Sequence, residues 1–574
     1  MSRTAHVSLA ALLCVSLCAQ GNDERKQLDI EYGQPDQALQ KPVGGDVLRM
    51  APNPQVNIFQ ETQILLEGVI LVPADKDTNK VRQDLGVHIE LGKGDFLALE
   101  EPLKPYLNQA ISPALIQQIK DTIVDYFLRE KHKYIAVLVP VQDITDGVVV
   151  FQVLEGKIGK IEYKGLKWFS ESTLAKALPL HSGDPIIEPK FMDYMSWINR
   201  NPFHKTQMVL QPGASKGLTD VIFITQERFP IRFYTGFDNT GFRPTDQLRL
   251  SGGMNWGNFL NTGDLISYQY TASPDFSKLQ SHVVSYSSFL PWRHLMTLFG
   301  CYGSVLPVIT GFTSTGVDIQ ASGRYLVPFF PFYGNFLNHI EGGFDWKYIT
   351  SNYFFTGLPD STTNNSIVNV TQFMLAYKLQ RNWKDQVLAF GCNLFASVWK
   401  NLLPYQTSKA YNNLRTGSHV RYAYLRTSLN YRYELPSKCI FSALFRGQLA
   451  SNTLPTSEQY GLGGADTVRG YFEQQFVADN ALIFNLEFYS PSLSLFKAQP
   501  NQLMFLAFFD YAYGRNYSYF QPSLQAQNLF GIGPGIRYDI IPYMSLKMDY
   551  GFQLKGITGD KRTGRFHFSL VVSN

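Results

Sequence analysis

Leu546-Lys547-Met548-Asp549-Tyr550-Gly551-Phe552-Gln553 alternates apolar and polar residues almost without a break. A backbone that sends successive side chains to opposite faces is a β-strand, so this stretch has one apolar face and one polar face. The same period of two recurs in segment after segment once Phe229 is passed. Leu248, Leu250, Gly252, Met254 and Trp256 interleave with Arg249, Ser251, Gly253 and Asn255. Ile340, Phe344, Trp346 and Tyr348 interleave with Glu341, Asp345 and Lys347. Leu425, Leu429, Tyr431 and Tyr433 interleave with Arg426, Ser428, Asn430, Arg432 and Glu434. Phe566, Phe568, Leu570 and Val572 interleave with Arg565, His567 and Ser569.

A soluble sandwich alternates as well, with its polar face outward. Three features point instead to a membrane. The segments run about ten residues, aromatics crowd their ends as an interfacial girdle does, and their charged residues mix with Gly and Ser instead of forming a Lys/Glu-rich surface. At about 20–22 residues per strand with its connection, residues 229–574 make a transmembrane antiparallel β-barrel of about 16 strands. That size leaves room for an aqueous lumen.

Composition agrees. The 574 residues include 42 Phe, 32 Tyr and 7 Trp, so aromatics reach 14% while charged residues fall to 17%. A net charge of only +4 excludes a nucleic-acid binder built on phosphate neutralisation. Five cysteines exclude a disulfide scaffold. After the first apolar run, no stretch approaches the ~18 apolar residues of a spanning helix.

That first run marks the compartment. Arg3 and His6 precede Val7–Leu17, and Cys18-Ala19-Gln20 then leads into a polar stretch, the layout of a secretory signal over residues 1–19. Leu17 is too bulky for a lipoprotein signal through Cys18. Cys14 and Cys18 leave with the signal, and Cys301, Cys392 and Cys439 remain as packed thiols with no metal-ligand spacing. Residues 20–55, rich in Pro and Gly, read as a linker with one short helix near Glu24–Tyr32.

From 56 to 228 the texture is α/β. Ile64–Val72 reads as a strand, and Ser112-Pro113 opens a helix. Leu115, Ile116, Ile119, Ile123, Tyr126 and Phe127 give that helix one apolar stripe. Strands Ile135–Val141 and Val148–Val153 follow. A similar order recurs as strand Ile158–Tyr163, helices Ser172–Leu178 and Lys190–Asn199, and strands Met208–Gln211 and Val221–Gln226. Two tandem modules result, over 56–156 and 157–228.

Nothing in the chain asks for catalysis, a cofactor or a metal. Gly213-Ala-Ser215-Lys-Gly217 matches G-x-S-x-G, but a strand rather than a helix follows the serine. Gly86 to Gly92-Lys93-Gly94 has the wrong spacing for a phosphate loop and no Ser/Thr after the lysine. The ten histidines show no ligand spacing.

The unusual stretch is Gly461-Leu-Gly463-Gly464-Ala-Asp466-Thr467-Val468-Arg469-Gly470-Tyr471, which has too many glycines for a strand interior. Such a loop can be a mobile surface connection. It can also carry Arg469, set between bulky groups, into the lumen toward a buried carboxylate. Asp510 is the single charge in the apolar strand Met504–Tyr511. It is either solvated in the lumen or paired.

These residues carry a resemblance. Gly463–Tyr471, Ala478-Asp479-Asn480-Ala481 and Asn485-Leu486-Glu487-Phe488 resemble the signature loop and following strand of the two-partner secretion transporters, the haemolysin secretion/activation family. Gly236-Phe237-Asp238-Asn239-Thr240-Gly241, with Gly257-Asn258 and Gly263-Asp264, is similar to that family's first-strand pattern. Gly156-Lys157-Ile158-Gly159 with Tyr163-Lys164-Gly165 resembles the entry to its second periplasmic POTRA module. The resemblance implies an outer-membrane barrel behind two POTRA modules, with Arg469 reaching into the lumen and Asp510 anchoring it. Gly463, Gly464, Val468, Gly470 and Tyr471 would form the signature loop. The implied partners are a large secreted exoprotein, outer-membrane lipid, and the barrel-assembly machinery for the protein's own insertion.

Two departures stand out. Pro73–Glu101 is a long insertion after the first strand, and Val572-Ser573-Asn574 ends the chain without the aromatic residue usual in this family. Beside a secretion pore, two other readings are an assembly factor for other barrels, which should carry more modules, and a passive porin, which leaves 56–228 unexplained. An outer-membrane enzyme lacks a credible triad.

Overall fold

A computed structural model describes residues 64–74, 76, 84–92, 96–130, 135–215, 217–309, 312–329, 336–355, 364–496, 500–518, 525–556 and 563–574. The signal segment 1–19 and the linker 20–55 lie outside the described residues. The rest divides into two compact units, one of residues 204–227 with those up to 200, the other of 201–203 with 228–574.

The first unit holds two small sheets. β1 (Gly68–Pro73), β2 (Gly86–Ile89), β3 (Ile135–Leu138) and β4 (Val148–Glu155) form a sheet in the order β2-β1-β4-β3. α1 (Leu97–Leu103) and α2 (Pro113–Glu130) cover it. The Ser112 hydroxyl accepts the Leu115 amide at 3.1 Å and so caps α2. Leu115, Ile119, Ile123, Tyr126 and Phe127 are buried with Val69, Leu71, Val149 and Phe151 of the sheet. The expected first strand is displaced, because its regular pairing starts at Gly68 rather than Ile64. Pro73–Glu101 is also more than an insertion: it supplies β2, which lies parallel to β1, and α1. Val87-His88-Ile89 is too short for periodicity to reveal.

The second sheet has β5 (Lys157–Lys164), β6 (His204–Pro212) and β7 (Leu218–Glu227) in the order β5-β7-β6, with α3 (Glu171–Ala177) and α4 (Glu188–Ile198) between β5 and β6 in the chain. The Ser170 hydroxyl caps α3. The G-x-S-x-G stretch falls between the hairpin partners β6 and β7, with no helix after it.

The other unit is a closed antiparallel barrel of 16 strands among the described residues, counting the two-residue ladder Val308–Ile309 with its neighbour. It starts at Ile231–Asp238 and closes where Gly564–Ser573 pairs with that strand from Ser569↔Asp238 to Ser573↔Tyr234. Closure leaves no edge strand, the condition for a sheet in lipid. Polarity is inverted relative to a soluble protein. Val284, Leu298, Phe344, Phe373, Leu375, Leu429, Phe505 and Ile532 are exposed, whereas Asp345, Gln372, Gln448, Glu487, Asp510 and His567 are buried. Outward apolar groups face hydrocarbon, and inward polar groups pair across the lumen. Connections are short at the end where the first strand begins, as at Trp383–Asp385, and long at the other, as over 398–421 and 451–479. Strands Phe312–Pro328, Phe336–Phe355 and Asn364–Asn382 run to 17, 20 and 19 residues, longer than the expected ten. About 9–11 residues cross the hydrocarbon, so the surplus projects beyond it.

Candidate functional site

The connection between strands Ile440–Ala450 and Asn480–Tyr489 folds back among polar groups of the barrel interior. Its base is a short ladder, Tyr460–Leu462 with Phe476–Ala478, so Gly461 does lie in extended structure. Gly463 and Gly464 beyond it take φ of +98° and +109°, a left-handed conformation open to glycine. The Gly464 amide reaches the Val468 carbonyl at 3.1 Å and closes the tip. Val468 and Tyr471 are fully buried with Leu462, Ile483, Ala512 and Leu529.

This tip delivers Arg469. Its Nε donates to Asp510 Oδ2 at 2.7 Å and its Nη2 to Asp510 Oδ1 at 2.8 Å, a bidentate fork. Its backbone amide adds a third bond to Oδ2 at 3.0 Å. Nη1 donates to Glu487 Oε1 at 2.7 Å and stands 3.6 Å from Asp549 Oδ2. The guanidinium carbon lies 3.5 Å from the Phe508 ring centre, and Arg469 is only 3% exposed. Of the two readings open for Asp510, the structure gives the paired one.

A supporting set fixes the anchor in turn. Asn485 Nδ2 donates to Asp510 Oδ1 at 2.7 Å and to the Thr467 carbonyl at 2.6 Å. Arg537 holds both oxygens of Asp549 at 2.7 and 2.9 Å. Tyr489 donates to Glu487 Oε2 at 2.7 Å. The Gly470 amide donates to His567 Nε2 at 3.0 Å, Gln553 Nε2 donates to the Gly470 carbonyl at 2.7 Å, and the Tyr471 hydroxyl bonds the Phe530 carbonyl at 3.2 Å. Contact here is backbone against backbone. A Cβ at Gly531 would strike the Arg469 carbonyl, and one at Gly551 would strike the Gly470 amide.

Arg469 and Asp510 were both readable as site residues. Glu487, Asn485, Asp549, Arg537, Phe508 and His567 complete the site, and their part in it is not evident from sequence alone. Asp549 and His567 already stood on the polar face of an alternating strand, which was the available signal. Asp479, at the loop's end, accepts Arg415 at 2.5 and 2.9 Å and the Leu454 amide at 3.1 Å. Among the described residues, no cluster of His, Cys, Asp and Glu is arranged to hold a metal. The arrangement is a network of paired charges and hydrogen bonds. It positions a loop across a lumen.

The model of the haemolysin secretion/activation proteins ShlB/FhaC/HecB matches residues 217–323 and 371–538, which include the loop, Asp510 and most of the glycine-bearing strand Ala526–Ile540. A heme/hemopexin transporter protein HuxB of Haemophilus influenzae (strain 86-028NP) is 22% identical over 93% of this chain and 91% of its own length. An outer membrane transporter CdiB of Escherichia coli O6:K15:H31 is 22% identical over 66% of this chain and 63% of its own. Among solved structures, CdiB from Escherichia coli superposes with a TM-score of 0.72 at 17% identity, covering 97% of this chain and 98% of that one. The barrel therefore lies in the outer membrane, with the N-terminal modules in the periplasm. By the matched model, the signature loop and the order of modules and barrel, the chain belongs to the haemolysin secretion/activation protein family.

Proposed function

We propose that the protein is the membrane half of a two-partner secretion pair. It takes an unfolded exoprotein from the periplasm and passes it through the barrel to the cell surface, with folding outside giving the direction. The supporting observation is the Arg469 anchor. A passive porin has no use for a loop fixed across its lumen by a buried bidentate pair, nor for periplasmic modules. Two modules, rather than a longer array, also favour secretion over barrel assembly. We divide the chain as signal 1–19, linker 20–55, first POTRA module 56–156, second POTRA module 157–228 and barrel 229–574.

Capture would proceed by adding an extended segment of the exoprotein to a module's sheet edge. β2 already occupies the outer edge of β1. Among the described residues, β3 pairs only with β4 and β6 only with β7, so each module offers an open edge. The test is secretion of the exoprotein partner, to be sought first as a large repeat-rich protein encoded beside this gene. Deleting 56–156 should leave a barrel that inserts and conducts ions while the exoprotein stays in the cell. Normal secretion by that deletion would remove the first module from capture.

A further inference from the structure

The signature loop is held at a second place. Counting round the barrel, strands Phe336–Phe355 and Asn364–Asn382 stand half a circumference from Met544–Gln553 and Gly564–Ser573. Near its start, the turn Thr456–Glu458 presents Glu458, which is 1% exposed, to that first pair of strands and to Tyr422–Glu434, which lies beyond the intervening strand Gln386–Ser397. Glu458 Oε1 accepts Lys347 Nζ at 2.7 Å and Ser457 Oγ at 2.7 Å. Oε2 accepts the Tyr424 hydroxyl at 2.6 Å and Gln372 Nε2 at 3.2 Å. Its carbonyl accepts Arg426 Nη2 at 3.2 Å and Gln448 Nε2 at 3.1 Å.

The two holds differ in what lies beside them. A cavity is lined by Lys347, Gln372, Tyr424 and Arg426, four of the groups that hold Glu458. Asp510, Glu487, Phe508 and Asp549, which surround Arg469, are not in its wall. The cavity also presents Arg324, Glu341 and Lys378, so both signs of charge line it. Such a surface suits a chain of mixed sequence, whose amides and side chains need donors and acceptors in turn. A polypeptide entering here meets the donors that Glu458 uses. Arg469 meets no such competitor.

We propose that Glu458 is the releasable latch of the lumen loop, and that the cavity beside it is the binding site of the extended polypeptide that releases it. The incoming chain takes over Lys347, Gln372, Tyr424 and Arg426, the loop's start comes free, and the loop turns about Arg469, whose pairing with Asp510 persists. The occupant rests on the secretion reading. The latch does not, because ion current reports it without any exoprotein.

The experiment is planar-bilayer recording of the full chain, with heat-modifiable migration confirming a folded barrel in each variant. Glu458→Gln should raise open probability roughly tenfold, equivalent to about 1.4 kcal/mol of lost closing free energy. Lys347→Met should do the same from the wall side, which keeps the test alive if Glu458→Gln does not fold. The exchange Lys347→Glu with Glu458→Lys should return most of the closed state, an outcome that general loosening of the loop does not produce. An unstructured peptide of Asp, Asn, Gly and Ser, added on the periplasmic side, should raise opening of the parent protein and have little further effect on Glu458→Gln. Unchanged current in both single variants overturns the latch, as does an exchange that stays open. A peptide without effect on the parent overturns the binding site.

Discussion

Arg469 meets two carboxylates and an aromatic face in a space closed to water. Breaking a buried pair by removing one partner costs about 3–5 kcal/mol, because the other is left charged and unpaired. Arg469→Ala and Asp510→Ala should therefore each abolish or strongly reduce secretion while barrel insertion stays largely intact. Arg469→Lys should fail as well, since one ammonium cannot fill the fork, the Glu487 bond and the Phe508 face together. The double variant should be markedly non-additive, and simple addition of the two losses would show that they do not act as a pair. Glu487→Gln keeps the shape and one acceptor, so its defect should be the smaller. The sequence made Arg469 and Asp510 legible because Arg469 is the single cation of a glycine-rich stretch and Asp510 the single charge of an apolar one. Asp549 and His567 were harder to find, since their approach to the loop depends on the register of strands far along the chain.

Single strands and sheets carry their own tests. Leu429 and Asn430 are neighbours in Tyr422–Glu434, yet Leu429 is exposed on the barrel and Asn430 lines the lumen cavity. Leu429→Arg should destabilise the inserted barrel by about 2–4 kcal/mol if it sits at the bilayer midplane, whereas Asn430→Arg should be tolerated and change ion selectivity. Urea unfolding in vesicles measures the first and reversal potentials the second. In the second module, His204 packs edge-on against Phe169, and burial pushes its pKa down to about 4. The folded state thus favours the neutral ring, and the unfolded chain binds the proton first as pH falls. Stability of residues 157–227 should be full above the ordinary histidine value of about 6.5 and decline from there toward about 4. Protease resistance in urea, read near pH 7.5 and pH 5 on the full chain, should show this decline, and His204→Phe should remove it. Alternation revealed the barrel strands because one face meets lipid and the other water. β2 escaped because four residues pinned to a neighbour need no pattern of their own.

The molecule combines a unit with two small sheets and a barrel whose sixteen strands, among the described residues, leave no edge. Inverted polarity, closure and the matched family place that barrel in the outer membrane. The full chain should fractionate there, and protease added to intact cells should spare residues 56–228. Recovery in the soluble periplasm would contradict the fold itself. The count of about 16 strands was legible from spacing, since lipid thickness limits strand length. The tertiary path of the loop was not, because glycine-rich segments have no periodicity and take their shape from whatever wall receives them.

That wall has a property of its own. Where the loop tip rests on Gly531 and Gly551, both surfaces are already reduced to main chain. Most contacts in a protein can drift, one partner growing as the other shrinks. Here no smaller residue exists to compensate an addition, so Gly531→Ala or Gly551→Ala has no side-chain remedy at the point of contact. Adaptation at this spot must proceed by changing the length or course of the loop, in steps of whole residues, and descendants of this chain will differ there by insertions and deletions rather than by gradual exchange.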